Sequence, residues 1–467
     1  MMNEQKKAPL GVRVSVYFIG IGGIGMSALA RYFHSKGAKV SGYDKTKSSL
    51  TTELEKSGIA IHYEENIESI PKDTELVVYT PAIPKDHKEL VYYRQQGYKV
   101  VKRSDVLQMI TASSFNICIA GTHGKTTITT MLAHLLRHTG YGCNAFLGGI
   151  SVNYGTNFWS SEKNVCVIEA DEYDRSFLKL SPDIAIISAM DADHLDIYGT
   201  AEEMEKAFIE FSSQVKANGL LLSKFGLKKT KEFKTAKHLT YSLQNKSADV
   251  YADNIRVMNG SYEFDVVMKE NRIENVVLHM GGMHNVENAV AAITVASSLG
   301  IENEKIKAAV EDFKGVKRRF EYIVKTKNLA FIDDYAHHPE ELRALISGAK
   351  SLFSQRKCTV IFQPHLYSRT RDLADGFAEV LDLADEVILL PVYPARELPI
   401  EGVNSQMILD KMKNNSKRIM TKEELMNWMK NDFSKTVNKD FGEVIITAGA
   451  GDIDNMVEPV KQILAGG

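Results

Sequence analysis

Seven residues, Gly121-Thr122-His123-Gly124-Lys125-Thr126-Thr127, bring together two glycines, a lysine and three threonine hydroxyls. In such a loop backbone N–H groups wrap a phosphate, the ammonium meets its charge and a threonine hydroxyl reaches a metal ion. The common phosphate loop G-x-x-x-x-G-K-[ST] has four residues between its glycines. Here there are two, and Ile119 stands where that pattern wants its first glycine. The loop is tighter but keeps its working parts, so Gly121, Thr122, Gly124, Lys125, Thr126 and Thr127 are the expected nucleotide contacts.

A second cluster, Gly20-Ile21-Gly22-Gly23-Ile24-Gly25, fits G-x-G-x-x-G, with Asp44 at the end of the next apolar run. Gly20, Gly22, Gly23 and Gly25 let the backbone approach a diphosphate at a helix N-terminus, and the acid can accept from a ribose hydroxyl. By itself the motif specifies only a dinucleotide or a UDP-like ligand. Two acidic runs follow apolar segments further along: Glu169-Ala170-Asp171-Glu172-Tyr173-Asp174 and Asp191-Ala192-Asp193-His194-Leu195-Asp196. If both segments are strands of one parallel sheet, Lys125, Thr126, Glu169 and His194 share an edge. Mg²⁺ takes one or two carboxylates, waters and phosphate oxygens, and a histidine ligand also suits Mn²⁺. The metal candidates are therefore Thr126, Glu169 and His194. Lys317-Arg318-Arg319 reads first as solvated charge, with the option that an arginine swings onto transferring phosphate.

These groups need elements to position them. The spacing predicts strands over 14–19, 38–43, 75–80 and 99–102, with Thr80-Pro81-Ala82-Ile83 and Arg103-Ser104 at strand ends, and a helix over 26–36. It predicts strands over 115–120, 164–168 and 184–188 around a helix over 128–139. It predicts a last group over 329–332, 358–362, 386–390 and 443–447, each ending in polar, Arg-, His- or Gly-rich turns. This is an α/β pattern three times over, and 467 residues suit about three domains. The expected divisions are 1–112, 113–316 and 317–467.

Composition is that of a soluble globular protein: 44% hydrophobic, 25% charged, net charge −2, which gives no global argument for nucleic acid or an anionic membrane. The four cysteines are scattered without C-x-x-C and read as buried free thiols in a reducing compartment. The basic, then apolar N-terminus is broken by glycines and runs into the βαβ pattern, which argues against a signal peptide, and no run approaches the roughly 18 apolar residues of a membrane span. A cytoplasmic location is expected.

Taken together, GTHGKTT, EADE, DADH, GGMHNVENAVAA, GVKRRFE and DDYAHHPEE occur in this order along the chain. With GIGGIGMSALA, TPAI, FQPHLYSRTRDL and PVYPARELPI, the set resembles the Mur ligase family over about residues 14–452. No single motif is specific; the combination is. The resemblance implies an N-terminal Rossmann-like UDP-binding domain, a central P-loop ATPase-like α/β domain and a C-terminal Rossmann-like domain. It implies ATP and Mg²⁺ as cofactors, and UDP-N-acetylmuramate and L-alanine as substrates joined through an acyl phosphate. It assigns catalytic roles to Lys125, Thr126, Glu169, His194, Arg319 and His337, and adenine and nucleotide contacts to His284, Asn285, Asn288 and Arg319. It gives the diphosphate to the first glycine loop, and the muramoyl and amino-acid side to Tyr335, His337, Arg369, Tyr393 and Arg396. A monomer or weak homodimer, without nucleic acid or membrane insertion, is expected.

Two features depart from the family pattern. Relatives often carry arginine where Leu366 stands, and no lysine near Ala207-Phe208-Ile209 is assignable as a carbamylated metal bridge. Three other readings stay open: a ligase that joins a whole peptide to the same sugar nucleotide, a nicotinamide-dependent oxidoreductase resting on the first glycine loop, and a non-catalytic nucleotide-binding protein.

Overall fold

A computed structural model describes residues 14–465 except 174, 192–194, 396, 434, 436 and 438–439. The chain divides into two compact units, Met1–Tyr251 with Asn288–Ala309, and Ala252–Glu287 with Val310–Gly467.

The first unit holds two parallel sheets. One contains β1 (Ser15–Ile19), β2 (Lys39–Tyr43), β3 (Ala60–His62), β4 (Leu76–Tyr79) and β5 (Val100–Lys102), in the order β3-β2-β1-β4-β5 with every pair parallel. Every residue of the central strand β1 is buried, as expected for a parallel strand covered on both faces. The strand order reverses between β1 and β4, and the turns that follow those two strands carry Gly20–Gly25 and Thr80. Open α/β sheets bind ligands at such a switch point.

The other sheet contains β6 (Phe115–Ala120), β7 (Asn144–Ser151), β8 (Thr156–Trp159), β9 (Val165–Glu169), β10 (Ile184–Ile187), β11 (Leu220–Lys224) and β12 (His238–Ser242). Within this unit its strands run in the order β12-β11-β10-β6-β9-β7-β8. All neighbours are parallel except the β7–β8 hairpin. β6 thus lies between β9 and β10, so the turns after all three emerge side by side. The helix Ile24–Ser35 of the first sheet packs on the hairpin. There Tyr32 meets Phe146 and Phe158 at centroid distances of 5.6 and 6.0 Å, and Asn157 Nδ2 donates to Ile24 O and Ser27 Oγ.

In the second unit, β14 (Tyr262–Met268) and β15 (Arg272–Leu278) form an antiparallel hairpin. The main sheet of this unit contains β16 (Glu321–Lys325), β17 (Leu329–Asp334), β18 (Lys357–Phe362), β19 (Glu386–Leu389), β20 (Lys417–Ile419) and β21 (Glu443–Ala448), numbered after the strand Val250–Val257 as β13. The order is β16-β17-β21-β18-β19-β20, and only β16 is antiparallel. Its core gathers Phe331, Ile361, Ile388, Leu390, Leu425, Met429 and Ile445.

All four cysteines are free and buried, as expected. Burial pushes the Cys118 thiol up, and Cys143 and Cys358 up to about 12, so these thiols are inert packing groups. No described helix is long and apolar enough to cross a membrane.

Candidate active site

β6 runs straight into the phosphate-type loop, and the helix Lys125–His138 begins at the lysine itself, three residues before the expected start. Gly121 (φ +135°) and Gly124 (φ +82°) are both in the region that favours glycine. A Cβ on Gly121 would press on Ser188 Oγ and stand 2.7 Å from the Ala189 backbone nitrogen. The loop is therefore pinned against the end of β10. Thr122 N donates to Ala189 O at 3.2 Å, and Ser188 Oγ donates to Ala120 O and to His123 O.

Lys125 Nζ donates to Gly121 O at 2.7 Å and to Glu172 Oε1 at 2.6 Å. Glu172 is 1% exposed, and burial pushes its carboxyl above the ordinary value while Lys125 pulls it back. Thr126 Oγ1 lies 3.0 Å from Glu169 Oε1, and Glu169 Oε2 accepts from Gly148 N at 3.0 Å. A side chain on Gly148 would collide with that carboxylate, so the hairpin β7–β8 approaches Glu169 as closely as glycine permits. Among the described residues no three His, Cys, Asp or Glu side chains gather into a metal cluster. One carboxylate beside one hydroxyl at the mouth of a glycine loop is still the donor set that Mg²⁺ bound to nucleotide phosphates uses, because the phosphates and waters supply the other ligands. The residues present fit that ion. Asn288 faces the same loop, its Oδ1 2.9 Å from where a Cβ of Gly124 would sit.

At the first glycine loop, Gly20 N and Ile21 N donate to Tyr43 O at 2.8 and 3.0 Å, and Gly22 N donates to Asp44 Oδ2 at 2.7 Å. Asp44 Oδ1 also accepts from Thr46 N at 3.0 Å. The acid expected to meet a ribose thus also braces the loop. A Cβ on Gly20 would stand 3.2 Å from Thr80 Cγ2, so the turn after β4 closes the other side of the switch point. Gly23 is the N-cap of the helix Ile24–Ser35.

In the second unit the carboxyl edge gathers Tyr335, His337, His365, Arg369 and Tyr393. The His337 and Tyr335 rings meet edge-on at 5.1 Å, the His337 and His365 rings lie 6.2 Å apart, and His365 stacks on Tyr393 at 5.8 Å. Arg369 Nη1 stands 3.4 Å from His365 Nδ1. Burial lowers the His365 pKa, and the Arg369 and His337 charges lower it further, so its ring is neutral at neutral pH. Of the adjacent histidines, His338 caps the helix Pro339–Leu352 and only His337 turns to this cluster. Leu366 is held at φ +70° by a hydrogen bond from its N–H to Tyr393 O at 2.9 Å.

The basic run divides. Arg318 is not a solvated charge: its Nε lies 3.0 Å from Asp333 Oδ2 and its Nη2 donates to Gly449 O at 2.5 Å. Arg319 beside it is exposed. Phe320 N donates to Asp334 Oδ2 at 2.6 Å, and the Phe320 ring fills the space a side chain on Gly281 would need. Burial pushes Asp334 up to about 6 against two backbone N–H groups that pull it down. Asn285 Nδ2 donates to Gly281 O at 2.6 Å, and the His284 ring lies against Gly282. Lys206 is exposed and paired with Glu203. His194 and Arg396 lie outside the described residues.

The sequence pattern assigns no role to Glu172, Gly148, Ser188 or His365, and marks Arg103 only as a polar residue at a ligand-binding strand end. The signals for Glu172 and His365 were present, since both sit in strand-end motifs, but nothing local names their partners.

Family models match in chain order: the Mur ligase family catalytic domain over residues 15–115, the Mur ligase middle domain over 119–296 and the Mur ligase glutamate ligase domain over 318–451. The chain belongs to the Mur ligase family. It is 51% identical to a protein of Parabacteroides distasonis named UDP-N-acetylmuramate–L-alanine ligase, over 96% of this chain and 97% of that one. A protein of Flavobacterium johnsoniae with the same name is 46% identical, over 96% and 98%. The crystal structure of UDP-N-acetylmuramate-alanine ligase from Thermotoga maritima superposes with a TM-score of 0.80 at 30% identity, covering 97% of this chain and 99% of that one.

Proposed function

We propose that this chain joins L-alanine to the lactyl carboxylate of UDP-N-acetylmuramate, with ATP cleaved to ADP and phosphate, in peptidoglycan precursor synthesis in the cytoplasm. The observation that carries the reading is the meeting of Lys125, Thr126 and Glu169 at the ends of two adjacent parallel strands, in a chain 51% identical to a ligase so named. We assign residues 1–112 to the sugar nucleotide, 113–316 to ATP and 317–467 to the amino acid. ATP bound with Mg²⁺, for which Mn²⁺ is a chemically similar substitute, supplies the γ-phosphoryl that turns the lactyl carboxylate into an acyl phosphate, from which the alanine amine displaces phosphate.

The chain's own groups divide that work. Gly121, Gly124 and Thr127 present backbone N–H groups to phosphate oxygens at the helix start, and Thr122, whose N–H is held by Ala189 O, shapes the loop beside them. Lys125 brings positive charge to where charge grows in the transition state, and must leave Glu172 to do so. Thr126 and Glu169 hold the metal, with His194 as a further ligand by family resemblance. Asn288 borders the nucleotide; His284, Asn285 and Arg319 are assigned to it by the same resemblance. Gly20, Gly22, Gly23, Gly25 and Thr80 receive the diphosphate of the sugar nucleotide, and Asp44 keeps their loop in shape. Arg369, Tyr335, Tyr393 and Arg396 line the amino-acid side. The alanine ammonium must lose a proton before it attacks, and His337 and the neutral His365 are the bases at that edge.

Phosphate release from ATP and Mg²⁺ with UDP-N-acetylmuramate, with and without each amino acid or peptide, tests the reading. Release that needs both the sugar nucleotide and L-alanine is expected. Release only with a peptide would make the chain a peptide-joining ligase, and no release under any condition would leave a binding protein.

A further inference from the structure

The turn Glu169-Ala170-Asp171-Glu172 uses each of its three acids on different partners. Glu169 takes Thr126 and Gly148 N, Glu172 takes Lys125, and Asp171 takes Arg103. The last pair has no place in the account above. Arg103 is the first residue of the helix Arg103–Thr111, directly after β5, at the carboxyl edge of the first sheet. Its Nη2 lies 3.1 Å from Asp171 Oδ2, and its side chain is only 21% exposed.

The guanidinium lies against Gly25 of the first glycine loop. A Cβ on Gly25 would stand 2.5 Å from Arg103 Nη1, 3.2 Å from Cδ and 3.4 Å from Cζ. Gly25 has no left-handed φ to account for it; the room it leaves is filled by this guanidinium. A cavity of about 100 Å³ runs from Ile24, Gly25 and Arg103 to Gly148, Glu169 and Asp171. It connects the diphosphate loop to the carboxylate that faces Thr126. Two residues along the same helix, Asp105 pairs with Lys179, and Lys179 Nζ also donates to Ser104 Oγ at 3.2 Å. That second cross-link already ties the helix start to the segment after the acidic turn.

We infer that Arg103 is a substrate-binding residue that grips the diphosphate of the sugar nucleotide, and that Asp171 occupies its guanidinium until the substrate arrives. The first glycine loop carries no cation of its own, and the N–H groups of Gly20, Ile21, Gly22 and Gly23 are already given to Tyr43 O, Asp44 and Gly20 O. A planar guanidinium beside Gly25 supplies both the charge and a two-pronged donor for phosphate oxygens. Binding then exchanges one anion for another: the diphosphate replaces the carboxylate of Asp171. The inference rests on the sugar-nucleotide reading proposed above and names how that site takes its ligand.

Titration calorimetry of the full chain with UDP, UDP-N-acetylmuramate and ATP with Mg²⁺ tests it. Arg103→Ala is expected to weaken UDP and UDP-N-acetylmuramate alike by about ten-fold or more, with Arg103→Lys between it and the unaltered chain. Asp171→Asn, which removes the competing anion, is expected to tighten both several-fold. ATP affinity should stay within about two-fold in all three variants, a pattern that general loosening of the fold would not give. Unchanged UDP affinity in Arg103→Ala would overturn the inference, even if UDP-N-acetylmuramate binding fell. Weaker binding in Asp171→Asn would overturn it too, and that variant decides the matter if Arg103→Ala fails to fold. A wild-type chain that binds neither UDP compound would bring down the sugar-nucleotide reading itself.

Discussion

The two glycine loops of the first unit are built on one plan and charged in opposite ways. Each follows a buried parallel strand, begins with a glycine at positive φ and opens a helix. Each is pinned by the neighbouring strand's end: Gly20–Gly22 by Tyr43 O and Asp44 after β2, Gly121–His123 by Ser188 and Ala189 after β10. The second loop carries its own cation, Lys125, neutralised by a buried acid. The first carries none and has a guanidinium laid against it from another helix. A loop that must stabilise charge developing during phosphoryl transfer needs its cation built in at a fixed place. A loop that only holds a diphosphate works with backbone N–H groups and a cation supplied from outside.

The largest effect should come from removing the built-in cation. Lys125→Ala is expected to lower turnover by about 10³-fold or more while UDP-substrate affinity changes by less than about two-fold. Turnover close to wild type would end the comparison. The same variant has a pH signature. Glu172 titrates above its unfolded value because it is buried, so it contributes stability at low pH that is lost as pH rises through its folded pKa. Without Lys125 that shift grows. Thermal unfolding of Lys125→Ala should therefore fall more steeply than wild type as pH rises above the ordinary carboxylate range, by about 2 °C or more.

The next effect separates the glycines by what they touch. Gly121→Ala forces a β-carbon towards the backbone of Ser188 and Ala189 at φ +135°, and should cost about 2 kcal/mol or more along with ATP binding. Gly23→Ala meets nothing closer than 3.5 Å and should cost about 0.5 kcal/mol or less. Equal losses in chemical denaturation would show that the two loops are not pinned differently. The smallest effect belongs to the brace on the first loop. Asp44→Ala removes the acceptor for Gly22 N and should cost about 1 kcal/mol of stability, with UDP affinity falling several-fold and ATP affinity unchanged. A loss of ATP affinity instead would make the brace a global feature.

Much of this was legible in the residues alone. Gly-Lys-Thr at a strand-to-helix junction is a local arrangement, and the helix there begins at Lys125 because the loop ends at a left-handed Gly124. Glu169 was legible because it terminates an apolar run, and residues that end parallel strands share an edge wherever the strands fall in the order. The strand order itself was not legible. That β6 lies between β9 and β10 is what brings Thr126 beside Glu169 and Ser188 beside Gly121, across 43 and 67 residues of chain.

What the sequence by itself determined, then, is the set of elements and the residue types at their ends: apolar periodicity selects strands and helices, and glycine, lysine and acid stand at the junctions. Only the tertiary structure decided which charge answers which. The sequence cannot say that Lys125 is held by Glu172 rather than by one of the other acids in the turn, that Asp44 turns to Gly22, that Arg318 is bound to Asp333 while Arg319 stays exposed, or that Arg103 lies on Gly25. The physical reason is range. Backbone preference and hydrophobic pattern act over a few residues, whereas an ion pair acts over a few ångströms, and only folding turns the second kind of distance into the first.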